Sequence, residues 1–217
     1  MKRLVGLLIL CFSFSFLFAQ KPDALKSEGD KAYSTKQYAL ALSKYEKALT
    51  VWGSKPADNA MIYAMGACAY NVKDMKKSQK YFDMAIASGY NLDMAYQYKA
   101  CIMQAENNPE GYVKVLNEGL AKVPNSKAMK ESLAKHYFEE GDKHYHGAKD
   151  MLQKAADQVK AGKMSATEKA YKDVNVKAKA EFNEAIKFMD MALKVNPDYE
   201  NAKIIRKNSQ GQINTLL

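Results

Sequence analysis

Cysteine is scarce in these 217 residues: there are three, and one of them, Cys11, stands in an apolar N-terminal run. The other two, Cys68 and Cys101, cannot frame a disulfide-dense fold, so apolar packing must carry the core. Proline is rare as well, with five, and tryptophan occurs once. No stretch alternates apolar and polar residues without fitting a 3.6-residue period better, which excludes a sheet. Also missing are a phosphate-cradling glycine loop, a nucleophile elbow, a His and Glu pair at metal spacing and a Cys beside a base. No enzyme and no cofactor are therefore expected. The three histidines are His136, His144 and His146. On a helix the last two splay by about 200°, and no Cys or carboxylate pair joins them at ligand spacing, so solvated or hydrogen-bonded imidazoles are expected and no metal. The methionines beyond Met1 recur at helical spacing, as core residues do.

Only one long apolar run is present. After the basic start Met1-Lys2-Arg3, Leu4 to Phe18 is almost unbroken, and Ala19 offers a small residue at a cleavage position. Residues 1–19 read as a cleaved signal peptide, which implies an exported protein of the periplasm or cell envelope of a bacterium. The alternative is an uncleaved anchor, but the run falls short of the roughly twenty residues a membrane-spanning helix needs. Leu10 before Cys11 is too bulky for a lipoprotein cleavage site. Residues 20–217 read as a single domain. Without Lys2 and Arg3 the chain keeps 31 basic against 24 acidic residues. More than half of that surplus falls between Ala148 and Ala180, where eight lysines meet four acids. The two signs are interleaved, so the segment reads as a solvated helical face. No nucleic-acid partner is expected, and membrane association stays open without being indicated.

Small residues recur at a fixed step. Gly66, Ala100 and Ala134 are separated by 34 and 34, and Ala85 and Gly119 by 34; Gly29 to Gly66 and Ala48 to Ala85 are both 37. A repeat of this length makes one supersecondary unit that cannot bury its apolar face alone. Small side chains at such positions let two helices cross closely, with aromatics three or four places away filling the groove. A long side chain at Ala48 or Ala85 should overpack the crossing, at about 1–3 kcal/mol.

The residues around these anchors resemble the tetratricopeptide repeat family. Gly29-Asp30-Lys31-Ala32-Tyr33, then Tyr38, then Ala41-Leu42-Ser43-Lys44-Tyr45-Glu46-Lys47-Ala48-Leu49 form one unit. Ile62, Met65, Gly66 and Tyr70 with Ser78, Phe82 and Ala85 form the second. Tyr96 and Ala100 with Tyr112, Leu116, Gly119 and Pro124 form a third, and Ala185 to Leu193 with Ala192 and Asn196-Pro197 close a fourth. The resemblance implies an all-α, right-handed α-solenoid of about four helix-turn-helix units, near residues 22–55, 57–90, 92–125 and 126–197. Short polar residues placed to cap helices agree: Asp58 or Asn59, Asn91, and Asn125-Ser126. Asn107-Asn108-Pro109 and Gly141-Asp142 read as turns within units three and four.

Unit four departs from the pattern, because Ala192 lies 73 residues after Gly119. The opening helix is expected near 128–139, with an insertion near 143–178. Met151, Leu152, Ala155, Ala156 and Val159 make one apolar stripe there, and Ala170, Tyr171, Val174, Ala178, Phe182, Ile186 and Met189 make another. Ala161-Gly162-Lys163 breaks the chain, and Ser165-Ala166-Thr167-Glu168 reads as a capping box that restarts it. The spacing thus predicts an extended helical hairpin, its second helix running from about 166 to 195. A C-terminal capping helix is expected near 199–213.

The resemblance also implies a function. In the family the concave surface is lined by the first helix of each unit and holds a protein or peptide partner. Carried over by position, the lining residues here are Lys26, Asp30 and Tyr33; Tyr63, Ala67 and Tyr70; Gln97, Cys101 and Gln104; and Glu131, Lys135 and Phe138. Tyrosines suit an extended peptide or a helix, since they give stiff contact area and a hydroxyl; some of them could equally fill gaps between helices. One family subtype grips a terminal carboxylate with basic and asparagine residues. Asp30, Ala67, Cys101 and Lys135 stand in those places, so that mode is not expected. The alternative is a solute- or glycan-binding protein using the tyrosine-lined surface. Cys68 and Cys101, one helical position apart in equivalent helices, are read either as buried thiols or as a cross-unit disulfide.

Overall fold

The computed structural model describes residues 21–56, 58–167 and 169–216. The segment read as a signal peptide lies outside them. Among the described residues nine helices follow one another and no strand forms: α1 Pro22–Ser34, α2 Tyr38–Thr50, α3 Asn59–Asn71, α4 Met75–Ala87, α5 Leu92–Ala105, α6 Pro109–Lys122, α7 Lys127–Lys160, α8 Lys169–Val195 and α9 Glu200–Thr215. They pair as hairpins, α1 with α2, α3 with α4, α5 with α6 and α7 with α8, and α9 closes on α8. The first helices α1, α3, α5 and α7 touch one another in turn, whereas α2, α4 and α6 do not. A stack with one layer close and the other splayed must curve, and its concave side is the layer of first helices.

Each hairpin turns in the same way. Lys36, Lys73 and Asn107 take left-handed backbones, with φ of 59°, 66° and 53°. At each, the amide of that residue and the next one return to the preceding helix: Lys36 to Tyr33 and Gln37 to Ala32, Lys73 to Tyr70 and Asp74 to Ala69, Asn107 to Gln104 and Asn108 to Met103. These paired bonds satisfy carbonyls left open at a helix end. Capping agrees with the sequence at Asp58, which accepts from the Met61 amide, and at Ser126; Asn108, read as part of a turn, also caps α6. Asn91 differs: it precedes α5 in a left-handed conformation and its side chain caps nothing.

Small residues stand at the crossings. A Cβ on Gly29 would lie 2.5 Å from the Tyr45 ring, and one on Gly66 would lie 3.0 Å from the Phe82 ring. On Gly119 it would meet Met129 Sδ at 2.5 Å and Tyr96 Cβ at 2.9 Å. Ala41, Ala48, Ala85, Ala100 and Ala134 are all buried.

Unit four corrects the expected turn at Gly141-Asp142. Helix α7 runs unbroken through it, and its opening helix does not stop near 139. Gly141 faces α8 instead: a Cβ there would lie 2.5 Å from Met189 Cε, 2.8 Å from Phe188 Cβ and 3.1 Å from the Ala185 carbonyl oxygen. The glycine admits a neighbouring helix rather than a turn. The left-handed turn residue of this unit is Gly162, φ 69°, with amide bonds from Gly162 to Val159 and from Lys163 to Gln158. It lies 55 residues after Asn107 rather than 34, so α7 is 21 residues too long, which is three heptads. Along it Ala134, Gly141, Ala148 and Ala155 are buried at every seventh place, and so are Ala178, Ala185 and Ala192 along α8. The extra residues therefore lengthen two existing helices in heptad steps instead of adding elements. Helix α8 begins at Lys169 rather than near 166. Ser165 Oγ accepts from the Thr167 amide, and the last residue of the expected capping box, Glu168, lies outside the described residues.

Candidate functional site

The concave layer brings tyrosines together. Tyr33 from α1, Tyr63 and Tyr70 from α3, and Tyr98 from α5 gather with Tyr38 and Phe82 from the second layer. Tyr98 stacks on Phe82 (4.8 Å, 12°) and meets Tyr70 and Tyr63 edge-on at 5.3 and 6.3 Å. Tyr33 meets Tyr38 edge-on at 6.0 Å, and the loop residue Tyr90 approaches Tyr63 at 6.0 Å. Edge-on and offset pairs are the favoured geometries for such rings. Tyr33, Tyr38, Tyr63, Tyr70 and Tyr98 are all half-buried. Burial raises the phenol pKa of Tyr33, Tyr63, Tyr70 and Tyr98, so these groups stay neutral at physiological pH. The hydroxyls of Tyr33, Tyr63 and Tyr98 form no hydrogen bond among the described residues, and none is sealed from solvent. Each keeps a donor and an acceptor to offer a ligand.

The other lining residues divide. Lys26 pairs with Asp30 at 2.8 Å and approaches Asp58 at 3.7 Å, while Tyr45 Oη donates to Asp30 at 2.9 Å. That group ties units one and two together. Gln97 Nε2 donates to Asp93 within its own helix. Ala67 is buried, as is Cys68. Cys68 and Cys101 are free thiols, and burial pushes the Cys68 thiol up to about 12. Gln104 and Lys135 line a polar cleft of about 310 Å³ between units three and four, with Tyr112, Ser132, His136 and Glu139. Glu131 accepts from Asn196 Nδ2 at 2.9 Å, and Phe138 packs on Tyr199, 5.6 Å between rings. Both belong to a junction with the α8–α9 linker, where the tyrosine-lined groove ends.

Sequence reasoning missed Tyr98, Tyr90 and His136 as lining residues. Tyr98 sits 35 residues after Tyr63, one place off the step of 34 that selects Gln97. No signal in the sequence marks that place as lining.

His144 Nδ1 lies 2.6 Å from Glu181 Oε2 and its ring stacks on Phe188. Among the described residues no group of three His, Cys, Asp or Glu side chains is gathered to hold a metal. No helix among them is long and apolar enough to cross a membrane.

No family model matches the sequence, and no curated protein matches it significantly. Solved structures do. A TPR repeats protein from Bacteroides fragilis is 26% identical with a TM-score of 0.59, over 89% of this chain and 99% of that one. A tetratricopeptide repeat protein from Parabacteroides merdae is 16% identical at a TM-score of 0.44, over 89% of this chain and 72% of that one. MamA from Desulfovibrio magneticus is 14% identical at 0.45, over 91% and 93%. The last two are too distant to bear on the site. The first spans nearly all of both chains. By that geometry and that likeness the chain has the fold of a tetratricopeptide-repeat protein.

Proposed function

We propose that the protein is a non-catalytic interaction scaffold that holds an extended peptide or a helix of a protein partner against its concave layer. The observation that carries this reading is the tyrosine cluster across α1, α3 and α5, with stiff half-buried rings and hydroxyls free to bond a ligand's main chain. Few other side chains give so much contact area at so small a loss of rotamer freedom. The residues Tyr33, Tyr63 and Tyr70 anchor this surface with Tyr98, while Lys26, Gln97, Gln104 and Lys135 form its polar margin. A solute or glycan site would enclose most of its ligand, and these rings line an open face, so the peptide reading is preferred.

The absence of catalysis is part of the proposal. The buried Cys68 thiol, pushed up to about 12, is a poor nucleophile, and the His144–Glu181 pair has no hydroxyl or thiol to activate. The leader-like residues 1–19 support export to the bacterial envelope; N-terminal sequencing of protein recovered from envelope fractions should begin at Gln20.

A displayed random-peptide library panned against the protein tests the groove. Enriched peptides are expected to lose about tenfold or more in affinity with Tyr98→Ala or Tyr63→Ala, as for central interface aromatics, with helical content unchanged. No enrichment, or enrichment indifferent to both substitutions, rejects the assignment.

A further inference from the structure

The α7–α8 hairpin carries a second surface, independent of what the groove holds. At 1.5 Å per residue α7 is about 51 Å long, against about 21 Å for α5, so roughly 30 Å of hairpin stands beyond the stack. It bears Lys149, Lys154, Lys160, Lys163, Lys169, Lys172, Lys177 and Lys179. None of the eight is within ion-pairing distance of an acid among the described residues. In the stack, by contrast, lysines reach acids on other helices: Lys55 to Asp23, Lys77 to Glu46 and Lys99 to Asp83.

Between positions 169 and 180 of α8 four lysines meet one acid. Lys169, Lys172, Val176 and Lys179 follow at steps of three, four and three, which aligns them on one face of α8, with Asp173, four places after Lys169, at its edge. Val176, at 68%, is the most exposed large apolar side chain among the described residues. Beside it a cleft of about 610 Å³ opens between Lys172, Asn175, Val176, Lys179 and Leu216 at the end of α9. Asn175 Oδ1 is buried there without a hydrogen-bond partner.

We infer that this face of the hairpin docks on an anionic lipid surface. The lysines meet the headgroup charge, and Val176 and Leu216 enter the apolar edge of the interface. An acidic protein is the weaker fit. Protein interfaces are anchored by Trp, Tyr and Arg and depleted of Lys, and the stripe has none of those anchors. Lysines on flexible stems suit a fluid layer of charge that needs no fixed register.

Co-sedimentation of the full chain with phosphatidylcholine vesicles, with and without phosphatidylglycerol, tests this. Binding is expected only with the anionic lipid and should vanish at high salt. Each lysine removed should lower partitioning about fivefold, so the triple reversal Lys169→Glu, Lys172→Glu, Lys179→Glu should lower it roughly a hundredfold. The matched reversal Lys36→Glu, Lys47→Glu, Lys122→Glu, on exposed sites of the stack, should change it by no more than about threefold. All variants share one N-terminus, so their differences report the hairpin, and thermal melts verify that each is folded. Three results overturn the assignment: equal binding to neutral vesicles, no binding to anionic vesicles at low salt, or a hairpin reversal no worse than the stack reversal.

Discussion

The three-unit stack and the long hairpin are built from the same small residues and differ in what faces them. In the stack, Gly29 and Gly66 receive the rings of Tyr45 and Phe82, and the pattern returns after 34 or 37 residues. In the hairpin, buried alanines and Gly141 recur every seventh residue on both helices. A step of 34 closes one unit and starts another. A step of seven keeps one seam facing its partner indefinitely, as in a coiled coil. The period, not the residue type, decides whether the chain turns back or extends.

The largest test compares two buried rings, Phe82 in the stack and Phe182 in the hairpin, both fully buried. Phe82→Ala should cost about 3–5 kcal/mol and loosen units two and three together, since Phe82 touches Tyr63 and Tyr98 as well as Gly66. Phe182→Ala should cost a similar amount but confine faster amide exchange to the outer parts of α7 and α8. If both variants open the whole molecule alike, the two regions are one cooperative body and the contrast fails.

A second pair separates the glycines of α7. Gly141→Leu should cost about 1–3 kcal/mol by overpacking against Met189 and Phe188, measured by urea unfolding. Gly147→Leu should instead stabilise by about 0.5 kcal/mol through helix propensity, because nothing approaches that position within 4 Å.

A milder difference is expected with alkali. Burial raises the phenols of Tyr33, Tyr45, Tyr63, Tyr70, Tyr81 and Tyr98, so the folded stack holds these protons more tightly than the unfolded chain does. Their contribution is complete below the unfolded value of about 10 and is lost as pH rises through the folded values. Tyrosinate absorbance should therefore lag behind a denatured control above pH 10, and melting temperature should fall over the same range. Coincident titration curves would remove the distinction. The smallest effect is a gain: Gly147→Ala should stabilise by about 0.5–1 kcal/mol through helix propensity alone, whereas Gly141→Ala should not.

Much of the fold was legible because its signals are local or periodic. The step of 34, the caps at Asp58 and Ser126, the turn at Asn107-Asn108 and the break at Gly162 could all be read along the chain. Gly141-Asp142 misled because it carries a turn signal, while the residues that use the glycine, Ala185 and Met189, lie more than forty positions later. The tyrosine surface was half legible: Tyr33, Tyr63 and Tyr70 keep register, but Tyr98 joins them from one place past the step that selects Gln97. The hairpin lysines looked neutralised because their acids are neighbours in sequence. In the structure no acid among the described residues pairs with any of the eight.

Because α7 is one uninterrupted rod, Lys135 beside the groove and Lys160 near the tip cannot be aimed separately. A force that tilts the far end swings the near end where α7 meets α5 and α6, as a beam swings on its fulcrum. Whatever seizes the outer end thus sets the angle at which unit four meets unit three, and with it the width of the polar notch around Gln104 and His136.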